Sequence, residues 1–250
     1  MERQVYLFAT CVCAAAMPQT VISAIRLLQR EGVRVVFRKD QTCCGQPAFN
    51  SGYFEEARAV VMHSVALFEE RPELPVVVPS GSCAGMFSHE LGELFRGDPR
   101  LERVQRFAGR VMDLSQYLND VLQVKYEDRG PPLRVTWHTS CHALRTQRCV
   151  GSQKALLARL KNVEVVPLEY EEECCGFGGT FCVREPEISN AMVSAKIRDI
   201  RHTGVRRVIA ADGACILNIQ GALRRQNLDV QVTHLYDFLL DRLEGGNAIS

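Results

Sequence analysis

The hydrophobic positions of the chain form short apolar runs that alternate with longer segments of helical periodicity. Residues 4–9 form an apolar run with strand character, and Val21, Ile25 and Leu28 then recur at helical spacing. Short apolar runs predict strands, whereas apolar positions three or four residues apart predict helices. Strands are predicted at 4–9, 33–37, 75–79, 133–137, 163–168, 205–210 and 230–233. Helices are predicted around 21–28, 54–70, 84–95, 114–124, 153–160 and 187–202, after Cys215 and from Leu235.

The order of these elements occurs twice, and this repetition predicts the class of fold. Strands that alternate with helices form parallel sheets covered by helices, because a parallel connection needs a crossover segment. We therefore expect an α/β protein with two duplicated domains, each a mostly parallel sheet covered by helices. A polar segment at 125–132, with the sequence KYEDRGPP, separates the copies. The predicted domains are residues 1–126 and 127–250.

The cysteines show the duplication most clearly. Eight of the 11 cysteines fall into two sets with nearly the same spacing. The intervals are 32, 1 and 39 residues in one set and 33, 1 and 40 residues in the other. A glycine, Gly45 or Gly176, follows the adjacent pair of each set. We name these sets the first quartet, Cys11, Cys43, Cys44 and Cys83, and the second quartet, Cys141, Cys174, Cys175 and Cys215.

The remaining cysteines, Cys13, Cys149 and Cys182, have no counterpart in the other copy. A disulfide framework is a poor explanation for so many thiols, since the chain lacks an export signal and stable disulfides are rare in reducing compartments. Isolated cysteines can serve as small buried hydrophobic residues, but that role does not require regular spacing. We therefore predict eight ligands and three bystanders. Cys182 is ambiguous because it lies close to the second Cys-Cys-Gly.

Composition and charge exclude several classes of function. The 30 basic and 29 acidic side chains leave a net charge of +1, which argues against binding nucleic acid through its phosphates. No apolar run approaches the roughly 20 residues of a membrane-spanning helix, so no transmembrane segment is expected. The first residues lack the layout of a signal peptide. We therefore expect a cytoplasmic protein.

The predicted elements bring the members of each quartet towards one edge of a sheet. Four of the cysteines, Cys11, Cys83, Cys141 and Cys215, each follow a strand and precede a helix, and both Cys-Cys-Gly motifs fall in strand-to-helix loops. The carboxyl ends of parallel strands are the usual place for ligands in such sheets. A turn is needed for both adjacent cysteines to face one cofactor, and the following glycine permits it.

Two kinds of metal centre suit these thiols. Structural zinc sites are usually built from closely spaced pairs such as Cys-x-x-Cys, and the chain contains no such pair. Four sulfurs gathered from remote loops suit a larger centre, and a [4Fe–4S] cluster is held by four cysteine thiolates. We favour up to two [4Fe–4S] clusters, one per quartet. A zinc-stabilised binding module remains the alternative.

A few polar residues lie beside these cysteines. His142 follows Cys141 and could approach the cofactor, although a half-exposed residue at a helix start is the simpler interpretation. Ser80 and Asp212 stand three positions before a cysteine, where we expect them to cap the following helix rather than bind iron. His234 aligns with Asp113, and we expect a structural role for it.

The motifs are specific enough to indicate a family. The chain resembles the cysteine-rich CCG-domain proteins, which carry two copies of a motif in which a cysteine is followed by Cys-Cys-Gly and later by Cys-x-x-Cys. The heterodisulfide reductase B subunit and the glycolate oxidase iron–sulfur subunit are relatives, and the likeness is greatest to members that serve in lactate utilization. The resemblance runs to about residue 240. It rests on the segments 8–11 (FATC), 43–48 (CCGQPA), 80–83 (SGSC), 138–142 (HTSCH) and 174–181 (CCGFGGTF).

The resemblance implies an iron–sulfur electron-transfer component of an L-lactate (α-hydroxy-acid) oxidation complex, working with sister iron–sulfur and accessory subunits. Electrons from lactate oxidised to pyruvate would pass through clusters held by the two quartets. The chain would then be a subunit of an oxidoreductase, acting on lactate or glycolate, rather than a stand-alone enzyme. This agrees with the absence from the sequence of a P-loop and of a GxGxxG fingerprint.

One departure from the family pattern bears on the chemistry. Ser80 and Asp212 stand where the first cysteine of each Cys-x-x-Cys is expected. The heterodisulfide reductase subunit is thought to use that additional thiolate to build non-cubane clusters that cleave a disulfide. Its replacement favours ordinary cubane clusters and electron relay. A catalytic subunit of the heterodisulfide reductase type is kept as an alternative.

Overall fold

A computed structural model describes residues 2–245 of the chain, and we refer to residues 2–126 as the first half and 127–245 as the second half. The strands are β1 Gln4–Leu7, β2 Arg34–Phe37, β3 Val76–Val78, β4 Val111–Asp113, β5 Leu133–His138, β6 Val163–Val166, β7 Arg207–Ala210 and β8 Gln231–His234. The helices of the first half are α1 Cys11–Ala16, α2 Pro18–Arg30, α3 Gln46–Asn50, α4 Phe54–Phe68, α5 Gly81–Gly85, α6 Leu91–Leu94, α7 Leu101–Ala108 and α8 Leu114–Gln116. Two π-helical turns, Met86–Glu90 and Tyr117–Val121, continue α5 and α8. The helices of the second half are α9 Cys141–Arg145, α10 Val150–Leu157, α11 Phe181–Arg184, α12 Pro186–His202, α13 Gly213–Arg225 and α14 Leu235–Glu244.

Each half contains one four-stranded sheet, and the two sheets have the same topology. The strand orders are β2-β1-β3-β4 and β6-β5-β7-β8, and all pairings are parallel. The registers also correspond, since Leu7 pairs with Val77 in the first sheet and Trp137 pairs with Ile209 in the second. Helices flank both sheets, so the predicted fold class, an α/β protein with duplicated domains, is confirmed.

The structure differs from the predicted elements mainly in short segments. Strand β4 was not predicted, because three residues are too few to show a hydrophobic period. Helix α7 was also not predicted. Helix α13 begins at Gly213, so Cys215 lies in its first turn rather than before it. Cys11, Cys83 and Cys141 also lie in the first turns of their helices.

The two halves share one hydrophobic core, which fixes the position of one sheet against the other. Leu7 and Leu27 of the first half belong to the same buried cluster as Trp137 and Leu239 of the second. Helices α2 and α14 pack together across this core, and the Thr20 hydroxyl donates a hydrogen bond of 2.6 Å to the Asp237 carboxylate. Separate clusters cover the opposite face of each sheet. Because the core is shared, the loops at the carboxyl ends of both sheets are held in fixed relation.

The segment between the halves is anchored by a buried ion pair. The Arg242 guanidinium in α14 donates to both carboxylate oxygens of Asp128, at 2.7 and 2.9 Å. Both side chains are almost completely buried, so the pair is of the charge-assisted, bidentate kind that resists disruption. Within the described residues, no helix is both long and apolar enough to cross a bilayer.

Candidate metal centre

The first quartet converges at the carboxyl ends of β1, β2 and β3. Cys11 opens helix α1, Cys43 and Cys44 lie in the loop after β2, and Cys83 lies in the first turn of α5. The Cys11 and Cys43 sulfurs are 3.5 Å apart, and the Cys44 and Cys83 sulfurs are 3.3 Å apart. Thiols separated by 32 and 39 positions along the chain are therefore in direct contact in the folded protein.

The second quartet repeats this arrangement in the second half. Cys141 opens α9, Cys174 and Cys175 lie in the loop after β6, and Cys215 lies in the first turn of α13. The Cys141 thiol is hydrogen-bonded to Cys174, and the Cys175 thiol is hydrogen-bonded to Cys215. The pairs correspond one to one with those of the first quartet. Both quartets predicted from the spacing are thus brought together by the fold.

The glycine of each Cys-Cys-Gly motif is required by the turn and by close packing. Gly45 and Gly176 adopt φ values of 86° and 83°, in the left-handed region that glycine enters without strain. A Cβ atom at Gly176 would lie 2.7 Å from the Ser189 carbonyl oxygen, and one at Gly45 would lie 3.2 Å from that of Ala57. This turn allows both adjacent cysteines to reach the same group of sulfurs.

Hydrogen bonding within each quartet favours one thiolate in particular. Hydrogen bonds from the Cys11 and Cys44 thiols, and from nearby backbone, lower the pKa of Cys43 to about 3. Hydrogen bonds from Cys141 and Cys175 lower the pKa of Cys174 to about 2. The same contacts, together with burial, raise the pKa of the donating thiols Cys11 and Cys141. The first cysteine of each Cys-Cys pair is therefore the thiol whose ionised form the surrounding hydrogen bonds favour.

The two quartets line one cavity, which opens between the halves. All eight quartet cysteines contribute to its walls, together with the loops that follow each Cys-Cys-Gly motif. These loops touch each other, since the Cα of Pro47 lies 3.5 Å from where a Cβ on Gly179 would be, and the Ser51 and Thr180 hydroxyls are 2.5 Å apart. Two centres held by these cysteines would therefore lie side by side.

The helices that carry the quartets also pack across the junction between the halves, with glycines at the contact. A Cβ on Gly81 of α5 would lie 2.5 Å from the Ala143 Cβ of α9 and 3.2 Å from the Cys149 sulfur. A Cβ on Gly213 of α13 would lie 2.9 Å from the Cys13 sulfur of α1. Cys13 and Cys149 are almost completely buried at this junction. Both thiols therefore contribute to packing between the halves, and their role as bystanders stays a prediction.

Cys182 lies apart from the quartets. Its thiol donates to the Gly179 carbonyl oxygen at 3.4 Å, at the start of α11. It is half-buried and does not line the cavity. The sequence left open whether Cys182 is a ligand. Its contact with the loop backbone and its position outside the cavity favour a bystander.

Ser80 and Asp212, which replace family cysteines, contact each other across the junction. The Ser80 hydroxyl donates to the Asp212 carboxylate at 3.0 Å, and the backbone amide of Ser82 donates to the same oxygen at 3.2 Å. Asp212 also accepts from the Ala214 amide at 3.3 Å, so it caps α13 as expected, whereas Ser80 makes no cap bond with its own helix. The two oxygens connect the halves, and their hydrogen bonds compete with any approach to iron.

The two histidines on either side of Cys141 have different surroundings. His142 faces the cavity, with its Nδ1 3.7 Å from the Cys141 sulfur and its Nε2 3.4 Å from the Glu90 carboxylate. Glu90 raises the pKa of His142. His138 is buried, and one of its ring nitrogens and the Cys175 and Cys215 sulfurs are all within 4.8 Å of one another. Burial lowers the pKa of His138 to about 3, so its ring is neutral and carries a free lone pair.

His138 was not predicted as a site residue, although the duplication contained a signal for it. It lies 130 residues after Phe8, the same offset that joins Cys11 to Cys141. The change from an apolar strand residue, Phe8, to a histidine indicates that this position has a different role in the second copy.

The donor set of each quartet fits an iron–sulfur cluster. Four cysteine sulfurs reach one cavity, and soft thiolates are the ligands that such clusters use. In each quartet two cysteines are half-buried and two are buried, so the group is enclosed on the protein side and reachable from the cavity. The residues that would hold a cluster are those predicted from the spacing.

A comparison with protein families agrees with this arrangement. A model of the CCG cysteine-rich domain matches residues 5–88 and again residues 135–220. The chain belongs to this cysteine-rich CCG family. Each matched segment contains one complete quartet, so the duplicated domain and the duplicated site coincide. The family resemblance predicted from the motifs is confirmed.

Several relatives match nearly the whole chain. The chain is 41% identical over 238 residues to lactate utilization protein A of Shouchella clausii, and the alignment covers 94% of this chain and 98% of that protein. It is 39% identical over 248 residues to lactate utilization protein A of Oceanobacillus iheyensis, and this alignment covers 98% of this chain and 100% of that protein. This CCG protein is thus similar to those proteins along nearly its whole length.

One solved structure shares the fold. A hypothetical protein from Helicobacter pylori superposes with a TM-score of 0.68 and 10% identity, covering 99% of this chain. This chain spans about half of that structure, since it covers 50% of it. At this level of identity the likeness concerns the fold alone.

Proposed function

We propose that the chain is an iron–sulfur electron-transfer component of an L-lactate oxidation complex, with one [4Fe–4S] cluster held by each quartet. Cys11, Cys43, Cys44 and Cys83 would hold one cluster, and Cys141, Cys174, Cys175 and Cys215 the other. The observation that carries the proposal is the convergence of both quartets on one cavity. The relatives named lactate utilization protein A supply the metabolic setting.

Electron relay is favoured over substrate chemistry by what surrounds the cysteines. A bound [4Fe–4S] cluster supplies one-electron exchange, and the oxidation of lactate to pyruvate releases two electrons, one for each of two clusters. The residues at the family's additional thiolate position, Ser80 and Asp212, are hydrogen-bonded to each other. That arrangement supports two four-thiolate sites rather than the five-thiolate chemistry of a disulfide reductase.

The chain would work as a subunit with sister iron–sulfur and accessory subunits that bring lactate and the final electron acceptor. Helix α3 and the loop 177–179 both line the shared cavity, and a partner bound against them could exchange electrons with both sites. The proposal therefore assigns lactate binding to a partner and electron transfer to this chain.

The assembled complex tests this function directly. Under nitrogen, addition of L-lactate should bleach the cluster absorbance of this chain, and the bleaching should be strongly reduced with Cys174→Ala but retained with Cys149→Ala, a buried cysteine outside the quartets. Glycolate in place of L-lactate distinguishes the two substrates. Clusters that dithionite reduces but that no hydroxy acid reduces through the complex would contradict the proposal.

Zinc is the second candidate, because one observation suits it. His138, Cys175 and Cys215 lie close enough for one ion, and a further thiolate from Cys174 would complete a Cys₃His zinc site. A zinc-stabilised binding module predicts stoichiometric zinc and a colourless protein. Metal analysis of protein kept under nitrogen separates the two candidates, since a brown, reducible protein excludes the zinc module.

A further inference from the structure

His138 is a buried side chain without a hydrogen-bond partner. It ends strand β5, opposite Ala210 of β7, and only 1% of its surface is exposed. Within the part of the chain that the structure describes, neither Nδ1 nor Nε2 has a hydrogen-bond partner. Buried polar atoms in folded proteins are nearly always paired, so an imidazole with both nitrogens unpaired needs an explanation such as an absent ion.

The surroundings of the ring identify what it can bind. One of its nitrogens and the Cys175 and Cys215 sulfurs all lie within 4.8 Å of one another. Metal–nitrogen and metal–sulfur bonds of about 2.0 to 2.3 Å let donors at such separations share one centre. Histidine nitrogen is a known substitute for cysteine at iron–sulfur clusters.

The first half has an apolar residue at the equivalent position. The position equivalent to His138 is Phe8, which packs edge-on against Phe87 with ring centroids 4.9 Å apart. Phe8 lies in the apolar cluster that also contains Cys44 and Cys83. At this pair of equivalent positions the second half has a donor and the first has an apolar ring, although sheet topology and quartet are the same in both.

We propose that His138 is a nitrogen ligand of the metal centre at the second quartet, in place of one of the two buried thiolates beside it, Cys175 or Cys215. This centre would then have mixed sulfur and nitrogen ligation, while the first has thiolates only. This inference rests on the proposed cluster function, which it changes at one ligand position. It assigns different chemistry to two sites that the duplication made alike.

Nitrogen hyperfine spectroscopy tests the assignment. The anaerobically prepared, reduced protein is labelled with ¹⁵N-histidine, and pulsed EPR is recorded at the cluster signals. We expect a strongly coupled ¹⁵N nucleus on one of the two clusters. The coupling should be lost in His138→Phe, which copies Phe8, and retained in His142→Ala, because His142 lines the cavity beside Cys141 and is the control histidine.

The outcomes separate this inference from the function on which it rests. Cluster signals from both quartets without a strongly coupled histidine nitrogen in the unsubstituted protein would overturn the His138 assignment and leave the function standing. Coupling that disappears with His142→Ala instead would also overturn it. Absence of a cluster signal from the second quartet would overturn both, and the unsubstituted protein gives this result without depending on how the variants fold.

Discussion

The two halves of the molecule have the same sheet, the same quartet and the same glycine turn, but different surroundings for their cysteines. Around the first quartet the core is aromatic, with Phe8 4.9 Å from Phe87 and 6.2 Å from Phe68 between ring centroids. Around the second quartet the buried residues include His138, Lys196 and Asp199. The Lys196 ammonium donates to the Tyr170 and Glu171 carbonyl oxygens of the loop that precedes the second Cys-Cys-Gly.

The duplication has therefore preserved the cysteines that would hold a metal centre, whereas the buried residues around them differ between the halves. Reduction potentials of iron–sulfur clusters depend on net charge, hydrogen bonding and burial as well as on the ligands. A buried cation near the second quartet stabilises the more negative, reduced state of a cluster there. We therefore expect the second site to have the higher potential, which would direct electrons from the first site to the second.

The largest expected effect is the loss of one cluster from one half. Cys43→Ala should remove the cluster of the first half and Cys174→Ala that of the second, each lowering iron from about eight to about four per chain. Cys13→Ala and Cys149→Ala are the matched controls, because both thiols are buried outside the quartets, and they should retain the full iron content. Equal loss of iron at all four positions would break the division into ligands and bystanders.

The next effect concerns Asp113 and His234, which cap equivalent helices in the two halves. Asp113 accepts from the Ser115 amide at 2.8 Å, and His234 accepts from the Tyr236 amide at 3.3 Å. Burial raises the pKa of Asp113 to about 6 and lowers that of His234 to about 3. The two caps therefore respond to pH in opposite directions.

Asp113→Asn isolates one of these responses. The folded state holds the Asp113 proton more tightly than the unfolded state, so its stabilising contribution is complete below about pH 4 and is lost as the pH rises to about 6. The free energy of unfolding of the unsubstituted protein, relative to Asp113→Asn, should fall by about 3 kcal/mol over that interval. Urea unfolding at a series of pH values measures this, and parallel stability curves would contradict the buried, protonated cap.

A smaller effect is expected at the junction between the halves. Gly81→Ala places a Cβ 2.5 Å from the Ala143 Cβ, and overpacking of this kind costs about 1–3 kcal/mol of stability. Gly221→Ala, on the exposed face of α13 with no atom within 4 Å, should instead be neutral or stabilise by up to about 1 kcal/mol. Thermal unfolding of the two variants compares them, and equal melting temperatures would show that the halves are not packed as described.

The smallest effect is the tuning of the second site. Lys196→Met removes the buried cation while keeping most of the volume, and should lower the potential of the second cluster by on the order of 60 mV, a tenfold change in a one-electron equilibrium. The first cluster should keep its potential, and it serves as the internal control within the same sample. An EPR-monitored redox titration measures both, and a shift of neither cluster would remove Lys196 as the source of the asymmetry.

Much of the fold and of the site follows from the sequence because local patterns carry them. The apolar runs predicted β1, β2, β5 and β7 to within a few residues, since buried parallel strands are short and continuous in hydrophobicity. The repeated intervals selected the eight cysteines because two copies of one site must keep the same spacing. The glycine after each cysteine pair indicated a turn, and the positive φ at Gly45 and Gly176 is that turn.

What could not be predicted depends on contacts between the halves. The hydrogen bond between Ser80 and Asp212 joins residues 132 positions apart, and neither residue signals its partner. The packing of Gly81 on Ala143 likewise arises only when the two sheets share a core. His138 was missed for a different reason. A histidine at the end of a strand cannot be distinguished from other core residues by sequence, and only the structure shows that its buried nitrogens lack hydrogen-bond partners.

The central claim, that each quartet holds an iron–sulfur cluster, is tested most directly by counting iron and acid-labile sulfide in the unsubstituted protein, purified under nitrogen, with a low-temperature EPR spectrum of the reduced sample. Two filled sites predict about eight irons and about eight sulfides per chain, and signals from two reduced clusters. Fewer than about three irons per chain, or stoichiometric zinc in their place, would contradict it.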